Sequence, residues 1–315
     1  MKEKKKSNKI IFWALCLLFL VMALFSGYKL VTLLQEYDEG NRTYDDLEQY
    51  VSIPTHPPIL PVETQPTTPT QPEKPTETEP STQPTEAPTE TPTEAPTEAP
   101  TEAPTEAPTQ ATTKPTQATK PTEPPSPYPT VDFKGLSKVN DDIVAWIHME
   151  GPKISYPVVQ TDDNDYYLTR LFSGKKNKAG TIFMDYRNSS DLSDRHTIIY
   201  GHYLKVGGMF TNLRNYKKAS YIKSNPTYVI VTPKGNYTVE IFSAYVADPA
   251  EDQSWQLEFD SDKAFEDWVA KTKKKSVFKT SVKVKATDKV ITLSTCSYEF
   301  DNARFVVVGV LRPEK

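Results

Sequence analysis

Cysteine is scarce in this 315-residue chain: there are two, Cys16 and Cys296. Cys16 falls inside an apolar run that reads as a membrane span and Cys296 in the domain expected outside the membrane, so the two cannot meet and no disulfide framework is expected. Histidine is nearly as rare, with His56, His148, His196 and His202. No Cys-x-x-Cys, His-Glu-x-x-His or clustered carboxylate pattern occurs, which argues against a zinc site. A strong basic patch is also missing, so a nucleic-acid partner is not expected.

What is there divides into three compositions. Of 28 prolines, 22 lie between Pro54 and Pro129. Residues 1–53 are electrically balanced, residues 54–130 carry a net −8 and residues 131–315 a net +4. The mild overall acidity of −4 therefore describes the middle, and one 315-residue globular domain is excluded. The last 185 residues are enough for one good core.

Residues 10–28 contain no charge in 19 positions. As a helix they span roughly 28 Å, about the hydrocarbon thickness of a bilayer. Lys2, Lys4, Lys5, Lys6 and Lys9 precede the run, which predicts a cytoplasmic tail over 1–9, a transmembrane anchor over 10–28 and everything later outside the cell. A cleaved signal peptide is the rival, and the small-x-small cleavage site it needs is absent. Residues 29–53 read as a juxtamembrane helix.

Residues 85–108 are six tandem tetrapeptides, five TEAP and one TETP, and residues 54–130 as a whole share their Thr/Pro/Glu bias. Proline every fourth residue removes helix donors and nothing there can form a core, so a disordered linker of polyproline-II bias is expected. Its 77 residues reach at most about 240 Å. The tract reads as a stalk that holds the following domain away from the membrane, or as a passive spacer.

Residues 131–315 are predicted to be mainly β. Eight β-branched runs stand between turn signals: 143–147, 154–160, 180–185, 197–200, 227–231, 237–246, 289–295 and 304–311. That number suggests a barrel or a sandwich. A short helix is expected over 208–216. A longer one over 260–274 has Ser261 or Asp260 as N-cap and Phe265, Trp268 and Val269 on one face. It sits in a long connection, 247–280, that reads either as a wall of a site or as a plug for one barrel end.

Cys296 has three readings: inert core, intermolecular bridge or reactive thiol. In the strand ending at Cys296, Ile291, Leu293 and Thr295 form the greasier face. Cys296 shares the more polar face with Thr292 and Ser294. Seven residues separate Cys296 from Arg304, which opens an otherwise apolar strand. If those strands are antiparallel neighbours, Cys296 and Arg304 lie side by side. Arg304 is then a plain surface charge, or a guanidinium that favours a thiolate or holds an oxyanion. Among the histidines, His56 lies in the stalk and His148 reads as a surface residue. His196 and His202 are six residues apart, about 20 Å along a strand, so only one can serve a given site. His202, at the strand's C-terminal end, is the better candidate, and His196 reads as a solvated edge residue.

TLSTC (292–296) with Arg304 eight positions on, and YGH (200–202) upstream, resembles the sortases, cysteine transpeptidases of Gram-positive bacteria that attach proteins to the cell wall. The stretches 156–168, 178–188, 200–216 and 292–311 point to class B, and the resemblance covers essentially all of 131–315. It implies a closed eight-stranded β-barrel with short helices, following the anchor and the disordered stalk. Cys296 matches the nucleophile, His202 the proton carrier and Arg304 the oxyanion or substrate-orienting group. Asn164, Leu168 and Ser294 match groove contacts, and Tyr200 a neighbour of the histidine. Tyr203 departs from the pattern, since class B members commonly carry Asn after the histidine. No cofactor or metal is implied. The implied partners are secreted proteins bearing a C-terminal sorting signal, NPxTx- or PxTG-like, and an amine of a lipid-linked peptidoglycan precursor. Two rivals stand beside this reading. An extracellular cysteine hydrolase would release the same thioester to water. A non-enzymatic wall-associated module would not need Cys, His and Arg at these places.

Overall fold

The computed structural model describes residues 2–54, 126 and 128–314. The Pro/Thr/Glu tract expected to be disordered, with its repeats, lies outside the described residues except at its ends.

Helix α1 (Lys2–Asp45) carries the apolar run, continues past it, and ends in a 3-10 turn, Asp46–Tyr50. It is the one helix among the described residues long and apolar enough to cross a membrane. Its large apolar side chains from Phe12 to Val31 are exposed. The helix expected over 29–53 is thus the same rod to Asp45, followed by strand β1 (Val51–Ser52). This strand pairs with β2 (Thr130–Val131), on the far side of the tract.

A short helix α2 (Phe133–Val139) follows, capped by Asp132, whose side chain accepts from the Gly135 amide. Eight further strands then close into a barrel. They are β3 (Ile143–Met149), β4 (Ile154–Val159), β5 (Ile182–Met184), β6 (His196–Tyr200), β7 (Thr227–Thr232), β8 (Gly235–Ala247), β9 (Val290–Cys296) and β10 (Arg304–Pro313). The order around the barrel is β10-β8-β7-β3-β4-β5-β6-β9. Each expected run is a strand here, and closure leaves the barrel itself no unpaired edge. Two ladders are parallel, β4 with β5 and β6 with β9. The helix expected over 208–216 is a 3-10 turn, Thr211–Lys217, and a single α-turn, α3 (Tyr221–Ser224), follows it.

Alternation along the strands sends one set of side chains inward and the other outward. Ile241, Ala244, Ile291, Leu293, Phe305 and Val307 fill the interior. The outward set on the same strands, Phe242, Tyr245, Val290, Val306, Val308 and Val310, is covered by Phe265, Trp268 and Val269 of helix α4 (Asp262–Lys275). Ser261 caps α4 by accepting from the Ala264 amide at 3.1 Å, and Lys273, Lys274 and Lys275 suit its C-terminal dipole. The long connection therefore covers the outer wall of the barrel rather than plugging an end. The face assignment on β9 holds, with Ile291 and Leu293 inward, but its more polar face is covered rather than exposed, so Thr292 and Ser294 are buried as well.

Candidate active site

The β6–β9 ladder brings the chemistry together. The strands run parallel with Tyr200 opposite Ser294, and the Gly201 amide donates to the Ser294 carbonyl at 3.1 Å. Parallel strands rise equally per residue, so residues two steps beyond that pair leave the barrel by the same rim. Those residues are His202 and Cys296. On the other side of β9 the β9–β10 hairpin places Arg304 directly opposite Cys296. The three residues expected from the sequence thus share one end of the barrel.

Two contacts hold His202. Its Nε2 donates to the Leu168 carbonyl at 2.6 Å. Gly180 lies beneath the ring: a Cβ there would stand 2.8 Å from His202 Cδ2 and 2.7 Å from the Tyr167 carbonyl oxygen. Its φ of +64° also favours glycine. Arg304 is steadied by its own loop, with Nη1 donating to the carbonyls of Asn302 at 2.9 Å and Ala303 at 3.2 Å.

Asn164, expected in the groove, and Tyr200, expected beside the histidine, converge on a group that the sequence reading missed, Asp185. Its side chain is fully buried and accepts from Tyr200 Oη at 2.9 Å, Asn164 Nδ2 at 3.2 Å, and Arg187 Nε and Nη2 at 2.8 Å each. Burial works to raise its pKa, but the Arg187 fork, with help from Tyr200, holds it below the usual carboxylate value. An arginine two residues after an aspartate was the available signal. Leu168 is exposed, as a groove side chain would be, while its carbonyl holds His202. Ser294 is buried.

Cys296 is half-buried and opens into a cavity of about 240 Å³, lined among others by Tyr203, Arg214, Lys217, Tyr298 and Glu299. Tyr203 packs edge-on against Tyr298, and Arg214 donates to its hydroxyl. Lys217 donates to Ser297 and pairs with Glu299. Burial would raise the Glu299 carboxyl, but Lys217 and the Ser297 hydroxyl bring it down to about 2, so it stays charged. A larger cavity of about 780 Å³, between Arg187, Arg195 and residues 255–259, contains none of the expected site residues. Chemistry, not size, selects the smaller one.

Two histidine readings change. His196 is fully buried: Nδ1 meets the Gln256 carbonyl at 2.6 Å, Nε2 meets Thr292 Oγ1 at 2.7 Å, and Trp268 packs on the ring. It fastens the long connection to the barrel and is no solvated edge residue. His148 is mostly buried too, with Glu150 3.7 Å from its Nε2.

Comparison with known proteins decides the family. A sortase domain model matches residues 147–312. The chain belongs to the sortases, class B. Sortase B of Listeria monocytogenes is 40% identical over 182 residues, which is 57% of this chain and 74% of the relative. Sortase B of Staphylococcus aureus is 35% identical over 179 residues, 56% of this chain and 73% of the relative. Among solved structures, a Staphylococcus aureus sortase B–substrate complex superposes with a TM-score of 0.55 at 34% identity, covering 58% of this chain and 85% of that one. Sortases of this class are cysteine transpeptidases, and the closed eight-stranded barrel is their fold.

Proposed function

We propose that this sortase is held in the cell membrane by residues 10–28, with residues 1–9 in the cytoplasm and the barrel outside. In this reading it joins secreted proteins to the cell wall. Cys296 is the nucleophile, His202 carries the proton, and Arg304 steadies the oxyanion. Asn164, Leu168 and Tyr200 bind the sorting signal, while the buried Ser294, which the resemblance placed in the groove, is out of its reach.

The Cys296 thiolate attacks the Thr carbonyl of an NPxTx- or PxTG-like signal. The scissile C–N bond breaks as His202 gives its proton to the leaving amine, and a thioester remains. An amine of a lipid-linked peptidoglycan precursor then attacks the thioester. Its proton passes to His202, the C–S bond breaks and a new amide forms. His202 donates through Nε2 to a carbonyl, which only accepts, so a proton already resides on Nε2 in the resting site.

The observation that carries the reading is the register that sends His202 and Cys296 out of one rim, with Arg304 opposite the cysteine. An apolar helix continuous with the barrel-bearing chain supports the membrane location, because lipid-linked precursors and exported cargo meet at that surface. The test is to supply a sorting peptide with amines such as a glycine oligomer or a diaminopimelate stem peptide, and to weigh the products. Transfer predicts the amine joined to the Thr. Fast cleavage giving only the free acid across all amines, native precursor included, would replace the transpeptidase reading with a hydrolase.

A further inference from the structure

The Pro/Thr/Glu tract leaves the fold and returns to it at one place. Val51 pairs with Val131 and Ser52 with Thr130, so the last strand before the tract is paired with the first strand after it. The Asp132 amide adds a bond to the Tyr50 carbonyl at 2.8 Å. At the far end of the tract, Tyr128 is buried and its hydroxyl lies 2.9 Å from Thr238 Oγ1.

The chain before the tract is also seated on the barrel. On α1, Glu36 accepts from Lys178 at Nζ, 2.9 Å, and at its amide, 3.1 Å, while the Glu36 carbonyl accepts from Asn177 Nδ2 at 2.7 Å. Glu39 pairs with Lys175. Gly40 lets the helix close on Ala179: a Cβ there would stand 3.3 Å from the alanine Cβ. Tyr44 donates to the Gly180 carbonyl at 2.5 Å and packs edge-on against Tyr156. Leu47 is buried with Leu136, Trp146 and Tyr167 in one cluster, and the Tyr50 ring covers Gly135.

We infer that residues 36–53 form a strap that seats the barrel directly on the outer end of the membrane helix. The tract between Pro54 and Pro129 is then an excursion from that strap, not a spacer between anchor and barrel. Tyr44 follows Tyr28, the end of the apolar run, by 16 residues of one continuous helix, or about 24 Å. The spacer reading allowed a reach of about 240 Å. In the strap geometry the length of the tract does not set the height of the site, and closing so long an excursion costs little more than closing a shorter one, since the cost grows only with the logarithm of length. The inference stands on packing alone and does not depend on which residues carry the catalysis.

The test cuts the excursion. A specific protease site is placed within the TEAP repeats of the full chain, the protein is embedded in lipid vesicles, cleaved, and sedimented. The strap predicts that the barrel fragment stays with the vesicles and parts from them only in denaturant. Release of the barrel on cutting overturns the inference, because a spacer is then all that held it. Leu47→Asp in the cut chain is expected to free the barrel, and Tyr50→Ala to free part of it. Each uncut variant is checked for folding by cleavage of a soluble peptide. If the cut Leu47→Asp protein, folded by that measure, sediments as completely as the parent, the strap is not the holding contact and the inference fails.

Discussion

His202 gives an Nε2 hydrogen to the Leu168 carbonyl, 2.6 Å away, so a main-chain acceptor sets the orientation of the expected proton carrier. His202→Ala removes that group and is expected to leave turnover nearly as low as Cys296→Ala, which abolishes it in a folded protein. His148→Ala retains activity. Peptide cleavage by a folded Cys296→Ala protein would remove that residue from its role.

Gly180→Ala tests the floor under the ring. The added methyl meets His202 Cδ2 at 2.8 Å and the Tyr167 carbonyl at 2.7 Å, in backbone that disfavours a side chain. Strain of this kind costs about 1–3 kcal/mol. Displacing the ring is expected to lower kcat about tenfold or more. Unchanged kcat with an unchanged melting temperature would show that the ring has room to shift.

Arg304→Lys keeps the charge and loses the planar pair of donors. If the guanidinium holds an oxyanion, kcat/KM falls about 10²–10³-fold. Steady-state kinetics of a folded Arg304→Lys protein with near-normal kcat/KM would leave only charge, or nothing, required at this position.

The buried His196 predicts a pH-dependent stability. Burial pushes its pKa from 6.5 down to about 4. The unfolded chain therefore binds a proton between these values and the folded one does not. The contribution is full above about pH 6.5 and is lost as pH falls toward about 4. It amounts to roughly 3 kcal/mol, one pKa unit being about 1.4 kcal/mol. Urea unfolding of the parent and of His196→Gln at pH 7.5 and 4.5 measures it: the stability gap should narrow at the lower pH. A constant gap would mean that the imidazole titrates normally in the fold. His196→Ala is expected to lose activity through unfolding, with the peptide KM of its folded fraction unchanged.

The eight barrel strands were legible because β-branched runs between turn residues leave a local signature, and α4 because Phe265, Trp268 and Val269 follow helical spacing. The proximity of Cys296 and Arg304 was legible because a connection of seven residues is too short for a crossover and suits a hairpin, while their roles came from the resemblance to the sortases. The parallel pairing of β6 with β9 has no local mark. His196 was misread on this account: the groups that bury it, Gln256, Trp268 and Thr292, come from distant parts of the sequence. Asp185, at the end of the expected strand 180–185, carried no assigned role, because Tyr200 and Asn164 reach it only in the folded barrel. The strap was invisible for a different reason. A 3-10 turn and a two-residue strand have no period to detect, and the proline-rich tract between the partners reads as a boundary.

The β6–β9 ladder also bears on when this protein becomes chemically competent. Its first rung joins His196 to Val290, 94 positions apart, and its last rung sets the two rim residues side by side. Pairings of this range form late and slowly. Until the barrel closes, the thiol and the imidazole are separate groups on a loose chain, with ordinary reactivity toward whatever they meet. In the proposed mechanism the thiol and the imidazole can act together only in a chain whose β6–β9 ladder has formed, so chemical competence is tied to the slowest class of pairing in the fold.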